Sequence, residues 1–376
     1  MRPLPILPHD PQLGRAQTWP AGCRTRVVAC LLFTAFLSCT SPALAQDEGR
    51  DSLIFRVVEY NVENLFDCHD DSLYSDEEFL PTSVRHWTYS RYRKKLDKVA
   101  RAIVAAGNGV LPVLVALCEV ENDSVLHDLT CRSILRTAGY HYLMTHSSDP
   151  RGIDVALLYQ RYAFRPLITS HLRISPPRGG HPTRDILHVS GLLLSGDTLD
   201  VYVVHFPSRS GGARETENYR LNAAHRLRAS VDSVMRLRHH PQVLIMGDFN
   251  DYPQNASIRR VLEAGVPPEP ATDTVQPRRL YHLLANKAAT RRRWGSYKYQ
   301  GVWGLLDHII VSGTLLQPYA PLRTSPSRAD VLMADFLLTD DMKQGGRMPL
   351  RTYYGMKYLG GYSDHLPIWA EFTLYY

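Results

Sequence analysis

Three observations place this chain among the α/β proteins, as one large domain of two packed mixed β-sheets with helices outside. Apolar runs of strand length, rich in Val, Ile and Tyr, recur at Ile54 to Val62, Val113 to Val120, Val155 to Tyr159, Leu199 to Phe206, Gln242 to Met246, His308 to Ser312 and Leu366 to Phe372. Two amphipathic helices intervene, so strands alternate with helices in places and adjoin one another in others, the mark of mixed sheets. From Gln46 on, no linker-like tract or internal repeat divides the chain, and its length suits one domain better than two small ones.

Each helix rests on a periodicity. In "RYRKKLDKVARAIVAA", Tyr92, Leu96, Val99, Ile103 and Ala106 recur at steps of three and four and form one apolar stripe. In "YRLNAAHRLRASVDSVMRL", Leu221, Ala224, Leu227, Val231 and Val234 do the same. Apolar strands of this kind bury both sides when two sheets pack together. "SPPRGGHPT" (175 to 183) and "VPPEPATDTVQP" (266 to 277) read as loops.

The first 45 residues read differently. Arg24 and Arg26 precede the apolar stretch Val27 to Ser38, and Ala43-Leu44-Ala45 follows it. That stretch is too short to span a bilayer, and the combination reads as a signal peptide cut after Ala45. The chain is therefore expected to be exported, periplasmic or secreted, with residues 46–376 as the working domain, no transmembrane segment in the mature chain, and a monomer. Lipid attachment at Cys39 is the alternative, with Phe36-Leu37-Ser38 a poor lipidation box. Cleavage would remove Arg2, Arg15, Arg24, Arg26 and Asp10, leaving 39 basic and 36 acidic residues of the original 43 and 37. The mature chain is then only mildly basic, which permits an anionic substrate without requiring one. Cys68, Cys118 and Cys131 would survive, without the CxxC spacing that zinc or dithiol redox chemistry uses.

Polar residues gather where the apolar runs begin or end. "VVEYNVENLFD" carries Asn61 and Glu63, and "VLVALCEVEN" ends in Glu119, Glu121 and Asn122. "VYVVHFPSRSGG" ends in His205, Ser208 and Arg209, and "VLIMGDFND" in Asp248 and Asn250. "GLLDHIIVS" begins with Asp307 and His308, and "GGYSDHLPIWAEF" with Asp364 and His365. One aspartate after a strand is ordinarily a turn former or a helix cap. Six elements doing the same is costly unless the groups share partners or an ion. Strand ends of an α/β domain can converge on one crevice. Carboxylates and an amide, with no cysteine cluster and no HExxH, favour a hard cation: Mg²⁺ first, with Mn²⁺ or Ca²⁺ possible.

The set "EYNVENLFD", "ALCEVEN", "RGIDVALLY", "VVHFPSRSGG", "VLIMGDFND", "LLDHIIVS" and "GGYSDHLPI" resembles the endonuclease/exonuclease/phosphatase superfamily, the DNase I-like fold, in the family's order and over nearly the whole mature chain. The resemblance implies a four-layer sandwich of two packed mixed β-sheets flanked by helices. It makes Glu119 the main metal ligand, with Asn61 beside it and Asp364 completing the metal end. Asp248 would orient or deprotonate the attacking water, and Asn250 would hold that water or a phosphate oxygen. His365 would contact the phosphoryl group with its ring fixed by Asp307, and His205 would serve from the other side. Arg151 and Arg209 are candidate phosphate contacts. Val204 stands where such proteins often have Asn before the histidine.

The implied activity is metal-assisted in-line hydrolysis of a phosphodiester, which needs alignment and charge neutralisation more than a covalent partner. Nucleic acid is the first expected substrate, cut by a nonspecific endonuclease. Lipid head groups or sugar and inositol phosphates are the alternative, and an inactive binding module of the same fold is a third. The basic stretches "RYRKK" (91 to 95) and "RRRW" (291 to 294) either track a nucleic-acid backbone or are solvated faces. The tyrosine-rich "RTYYGMKYLGGYSDH" either stacks sugars or bases or walls the pocket.

Overall fold

A computed structural model describes residues 50–268 and 274–376. The expected signal peptide and the Cys39 alternative lie outside the described residues. Within the rest, Asp51–Tyr376 packs as one unit.

All seven strands read from the apolar runs form. The first sheet holds β1 (Ser52–Leu65), β2 (Leu114–Val120), β3 (His141–Met144), β4 (Asp154–Tyr159), β13 (Leu322–Arg323), β14 (Ala329–Val331) and β19 (Ile368–Tyr375), in the order β13-β19-β1-β2-β4-β3, with β14 also paired to β19. The second holds β5 (Phe164–Leu172), β6 (Ile186–Leu193), β7 (Thr198–His205), β8 (Gln242–Asp248), β9 (Leu280–His282) and β12 (Asp307–Ser312), in the order β5-β6-β7-β8-β12-β9. Three short ribbons complete the strands: β10 (Tyr297–Tyr299) with β11 (Val302–Gly304), β15 (Leu338–Asp340) with β16 (Arg347–Pro349), and β17 (Tyr353–Tyr354) with β18 (Lys357–Tyr358).

Both sheets are mixed, and in the same way. Each has one parallel pair at its centre, β1 with β2 and β7 with β8, and its other pairings are antiparallel. A parallel pair needs a crossover, usually helical. Here α1 (Tyr89–Gly107) links β1 to β2, and α3 (Glu217–Leu237) links β7 to β8. The shorter α2 (Asp123–Cys131) and α4 (Ala285–Thr290) follow β2 and β9.

The apolar stripe of α1 is buried at Tyr92, Leu96, Val99, Ile103 and Ala106, and the helix ends where Asn108 turns left-handed (φ 50°) and its N–H meets the Ala105 carbonyl. Residues of both sheets' facing sides, including Val57, Ala116, Val203 and Met246, join α1 in one core, while α3 packs Leu227 and Val231 onto the outer face of the second sheet with Tyr202 and Ile245. The layers are helix, sheet, sheet, helix.

This topology decides where polar groups can gather. The carboxyl ends of β1, β2, β7 and β8 lie at one rim, and β12 and β19, antiparallel to β8 and β1, begin at that same rim.

Candidate active site

The register sets the second sheet's contribution. His205 pairs with Asp248, and Asp248 pairs with Asp307, so three neighbouring strands place imidazole, carboxylate and carboxylate in one row. All three are buried. From the loop before β19, His365 completes the row: its Nδ1 lies 2.7 Å from Asp307 Oδ2, and its Nε2 4.0 Å from Asp248 Oδ2. On the other side, His205 Nε2 stands 3.7 Å from the same Asp248 oxygen.

The first sheet faces this row with Asn61 and Glu119. The Asn61 amide donates to Asp248 Oδ2 at 3.0 Å, tying the two sheets together. Glu119 Oε1 lies 3.9 Å from His205 Nε2, and its Oε2 accepts from the Asn64 N–H at 2.9 Å. Four non-glycine residues here have left-handed backbones: Glu63 (φ 52°), Asn64 (54°), Glu119 (67°) and Asn250 (50°). Such conformations cost free energy and persist only where surrounding contacts enforce them. In β1 and β2 they coincide with register shifts at Asn61/Leu65 and at Cys118/Val120, which re-aim the last side chains of each strand.

Asp364 joins through an arginine. Arg351 Nη2 donates to Asp364 Oδ2 at 3.0 Å and its Nε to Glu63 Oε1 at 3.0 Å, while Glu63 Oε2 accepts from the Thr352 N–H at 2.6 Å. Lys95 of α1 is buried beneath this knot, bonded to Thr352 Oγ1 at 2.6 Å and to the Tyr362 carbonyl. Asn250 donates its backbone N–H to Asp248 Oδ1 at 2.7 Å and its side-chain amide to the Phe206 carbonyl at 3.1 Å. Arg151 is exposed, bonded to Asn64 Oδ1 at 2.5 Å and 3.8 Å from Glu119 Oε2. Arg209 lies further out, its guanidinium 4.8 Å over the Tyr252 ring.

Charge in this row is set by burial. Burial and the neighbouring Asp307 push Asp248 up to about 7. Burial holds His205 well below the ordinary imidazole value, reinforced by Arg184 and Arg151. The same burial would lower His365, but Asp307, through charge and its hydrogen bond, and then Asp248 raise it well above. The two histidines flanking Asp248 thus stand in opposite protonation states, one neutral and one cationic.

Each expected site residue except Asp364 and Arg209 contacts this cluster, and Asp364 is linked to it through Arg351 and Glu63. Sequence reasoning noted Glu63, and Arg351 in the tyrosine-rich loop, without assigning a role to either, and missed Arg184; Arg184 binds Asp149 Oδ2 at 2.9 Å and the Phe206 carbonyl at 2.8 Å. Most of the "RYRKK" stretch is engaged within the fold, with Lys94 alone exposed. Arg91 bonds the carbonyls of Arg85 and His86 and stacks 4.1 Å over Tyr358, and Lys95 is the buried lysine just described. Of the loop tyrosines, Tyr353 is buried against Trp87 and Tyr358, and Tyr362 against Phe336, whereas Tyr354 is exposed.

A hard cation fits the donor set. Carboxylate oxygens of Asp248 and Asp307 lie within 4.8 Å of each other and of a His365 nitrogen, which as an imidazolium bonded to Asp307 balances their charge and does not ligate, and the carboxylate of Glu119 faces them across His205. Asp307 Oδ1 is buried without a hydrogen-bond partner, the kind of orphaned oxygen an ion or water would satisfy.

A sequence profile described as Endonuclease/Exonuclease/phosphatase family matches residues 56–373. The chain belongs to this family. Endonuclease/exonuclease/phosphatase proteins are metal-dependent phosphoric ester hydrolases, and the chain is an enzyme of that class. Its two mixed sheets agree with solved structures of the DNase I-like fold. An endonuclease/exonuclease/phosphatase family protein from Bacteroides thetaiotaomicron is 14% identical with a TM-score of 0.52, over 86% of this chain and 99% of that one. A mannosyl-6-phosphatase from the same organism is 14% identical with a TM-score of 0.51, over 85% and 99%. A humanised TDP2 from D. rerio is 14% identical with a TM-score of 0.50, over 85% and 98%. No curated protein sequence matches significantly.

Proposed function

We propose that this enzyme is an exported, Mg²⁺-dependent phosphodiesterase that hydrolyses nucleic acid by in-line attack of water. The observation that carries the reading is the buried Asp248 between a neutral His205 and a cationic His365, 3.7 and 4.0 Å away. Environments that push neighbouring titratable groups apart assign acid and base roles. Asp248, pushed up to about 7, is poised to orient a water and take its proton. His365, held by Asp307, presents a positive N–H to the phosphoryl oxygens as charge builds on them. Neutral His205 offers a contact from the opposite side.

Glu119, Asn61 and Asp364 are the proposed ligands, with Mg²⁺ the first choice and Mn²⁺ or Ca²⁺ able to substitute, because the donors are hard oxygens. When bound, the ion supplies charge that screens the phosphoryl oxygens from the attacking water. Asn250, locked against Asp248 and Phe206, would hold the water or a phosphate oxygen. Arg151 is a phosphate contact at the open end, and Arg209 a more distant one.

A second reading, hydrolysis of a sugar phosphate, draws support from the internal engagement of Arg91 and Lys95, which removes one expected phosphate track, and from the similarity in fold to a mannosyl-6-phosphatase. One panel separates the two. Residues 46–376 are assayed with plasmid DNA, RNA, sphingomyelin, an inositol polyphosphate, mannose 6-phosphate and a generic phosphodiester, each with Mg²⁺ or chelator. The proposal expects chelator-sensitive cleavage of DNA or RNA that is lost in Glu119→Ala. Phosphate release from the sugar ester alone would establish the second reading.

A further inference from the structure

The β10–β11 ribbon rises beside His365 and presents an aromatic face that none of the steps above uses. Tyr297 begins it. Its ring centroid lies 4.9 Å from that of His365, and its backbone bridges to His365. Tyr299, two residues on and so on the same side of the strand, holds its ring 6.5 Å away and nearly parallel, at 12°. Tyr299 is 59% exposed.

The partner strand extends this face. Gly304 pairs with Tyr297 and Val302 with Tyr299, so their side-chain positions share the side of the two tyrosines. A Cβ on Gly304 would lie 2.5 Å from Tyr252 Cε1. The glycine therefore leaves room for the Tyr252 ring to lie against the ribbon, and Arg209 covers that ring at 4.8 Å. Tyr252, Tyr297 and Tyr299 form a shelf running outward from the phosphate-contacting histidine.

The shelf is held from behind. Lys298 points to the opposite side, where its ammonium binds Asp341 Oδ2 and the Gly345 carbonyl, both at 2.8 Å. The ribbon turns through Gln300 (φ 47°) and Gly301 (φ 82°), the two-residue turn that suits strand twist. A braced ribbon gives up little conformational entropy when a ligand settles on it.

We infer that Tyr299, with Tyr297 and Tyr252, is a stacking platform for the nucleobases of a strand whose phosphate sits at His365. The inference rests on the nucleic-acid reading above and adds how that substrate is gripped. The face offers flat rings, Val302 and phenol hydroxyls, but no carboxylate or amide from the ribbon other than Gln300 at its tip, which bonds the Tyr299 hydroxyl at 3.4 Å. Stacking of this kind tolerates any base, since every base has a π-face. It accounts for binding without sequence readout.

The test compares two single-stranded oligomers of equal length, one with bases and one abasic, cleaved by the full chain in Mg²⁺. Stacking contributes about 1–3 kcal/mol per base, so kcat/KM is expected to favour the base-bearing strand by roughly 5- to 150-fold. In Tyr299→Ala that ratio should fall towards one, and Tyr299→Trp should retain it. A wild-type ratio near one, or a ratio that survives in both Tyr299→Ala and Tyr252→Ala, overturns the platform while leaving the nuclease reading intact. If neither oligomer is cut while a sugar phosphate is hydrolysed, the nucleic-acid reading has failed and the platform goes with it.

Discussion

The two sheets bring acidic residues to the same rim under opposite conditions. On β8 and β12, Asp248 and Asp307 are sealed from water, and the nearest positive charge is His365. At the ends of β2 and before β19, Glu119 and Asp364 are partly open, and each faces an arginine: Arg151 at 3.8 Å and Arg351 at 3.0 Å. A half-open carboxylate can exchange one cationic partner for another, so this side suits an arriving ion or phosphate. A sealed carboxylate cannot trade partners and instead changes its proton occupancy. The contrast separates an ion-handling half from a proton-handling half.

The strongest test of that division removes one residue from each half. His365→Ala and Glu119→Ala should each lower kcat/KM on a phosphodiester by roughly 10²–10³-fold or more, in initial-rate assays. If either variant retained wild-type rates, one of the two halves would be dispensable and the comparison would break. Asp307→Asn should come next. It leaves the His365 ring in place but removes the charge that keeps it cationic, and kcat should fall by about 10²–10⁴-fold with little change in KM.

The proton-handling half also predicts a pH dependence of stability without metal. Asp248 is pushed up to about 7, against about 3.9 in an unfolded chain. Between those values the folded state binds the extra proton, so stability falls as pH rises from about 4 to about 7. His365, raised above its unfolded value, contributes stability that is full below about pH 6.5 and is lost as pH climbs through its folded value. Both act in one direction. Buried His205, His282 and His308, held below the ordinary imidazole value, act with the opposite sign, so the readout is the difference: in chelator, the Tm of Asp248→Asn relative to wild type should rise between about pH 4 and pH 7, and saturating Mg²⁺ should raise the wild-type Tm most at the alkaline end. The smallest effect belongs to Arg151→Ala. An exposed ion pair contributes about 0–1 kcal/mol, so KM should rise by no more than about fivefold, with Tm nearly unchanged.

Much of the frame was legible because central strands are buried on both sides and read as continuous apolar runs. The edge of the second sheet was not. In β5, Phe164–Leu172, Leu167 and Ile168 are exposed, and Pro166 lies at a register shift, so no period survives. In β6, Gly191 interrupts the run because the Phe164 ring occupies the space of its side chain, with Cζ 2.3 Å from where a Cβ would be. The candidate residues were legible as polar groups ending apolar runs, and the register places them in one row. The role of Arg351 was not, since it lies 13 residues before the aspartate it binds, in a loop without period. Lys95 carried a signal that its charge obscured: three residues after Tyr92 and four before Val99, it falls on the helix's apolar stripe.

The account stands on one divalent ion held by the first sheet's Glu119, Asn61 and Asp364 beside the second sheet's Asp248. Mn²⁺ titration, followed by calorimetry and by the electron paramagnetic resonance of the free ion, measures this most directly. Wild-type protein should bind Mn²⁺ in competition with Mg²⁺, Glu119→Ala should weaken that binding at least tenfold, and Asp248→Asn should change it far less. Wild-type affinity in Glu119→Ala would place the ion elsewhere and contradict the account.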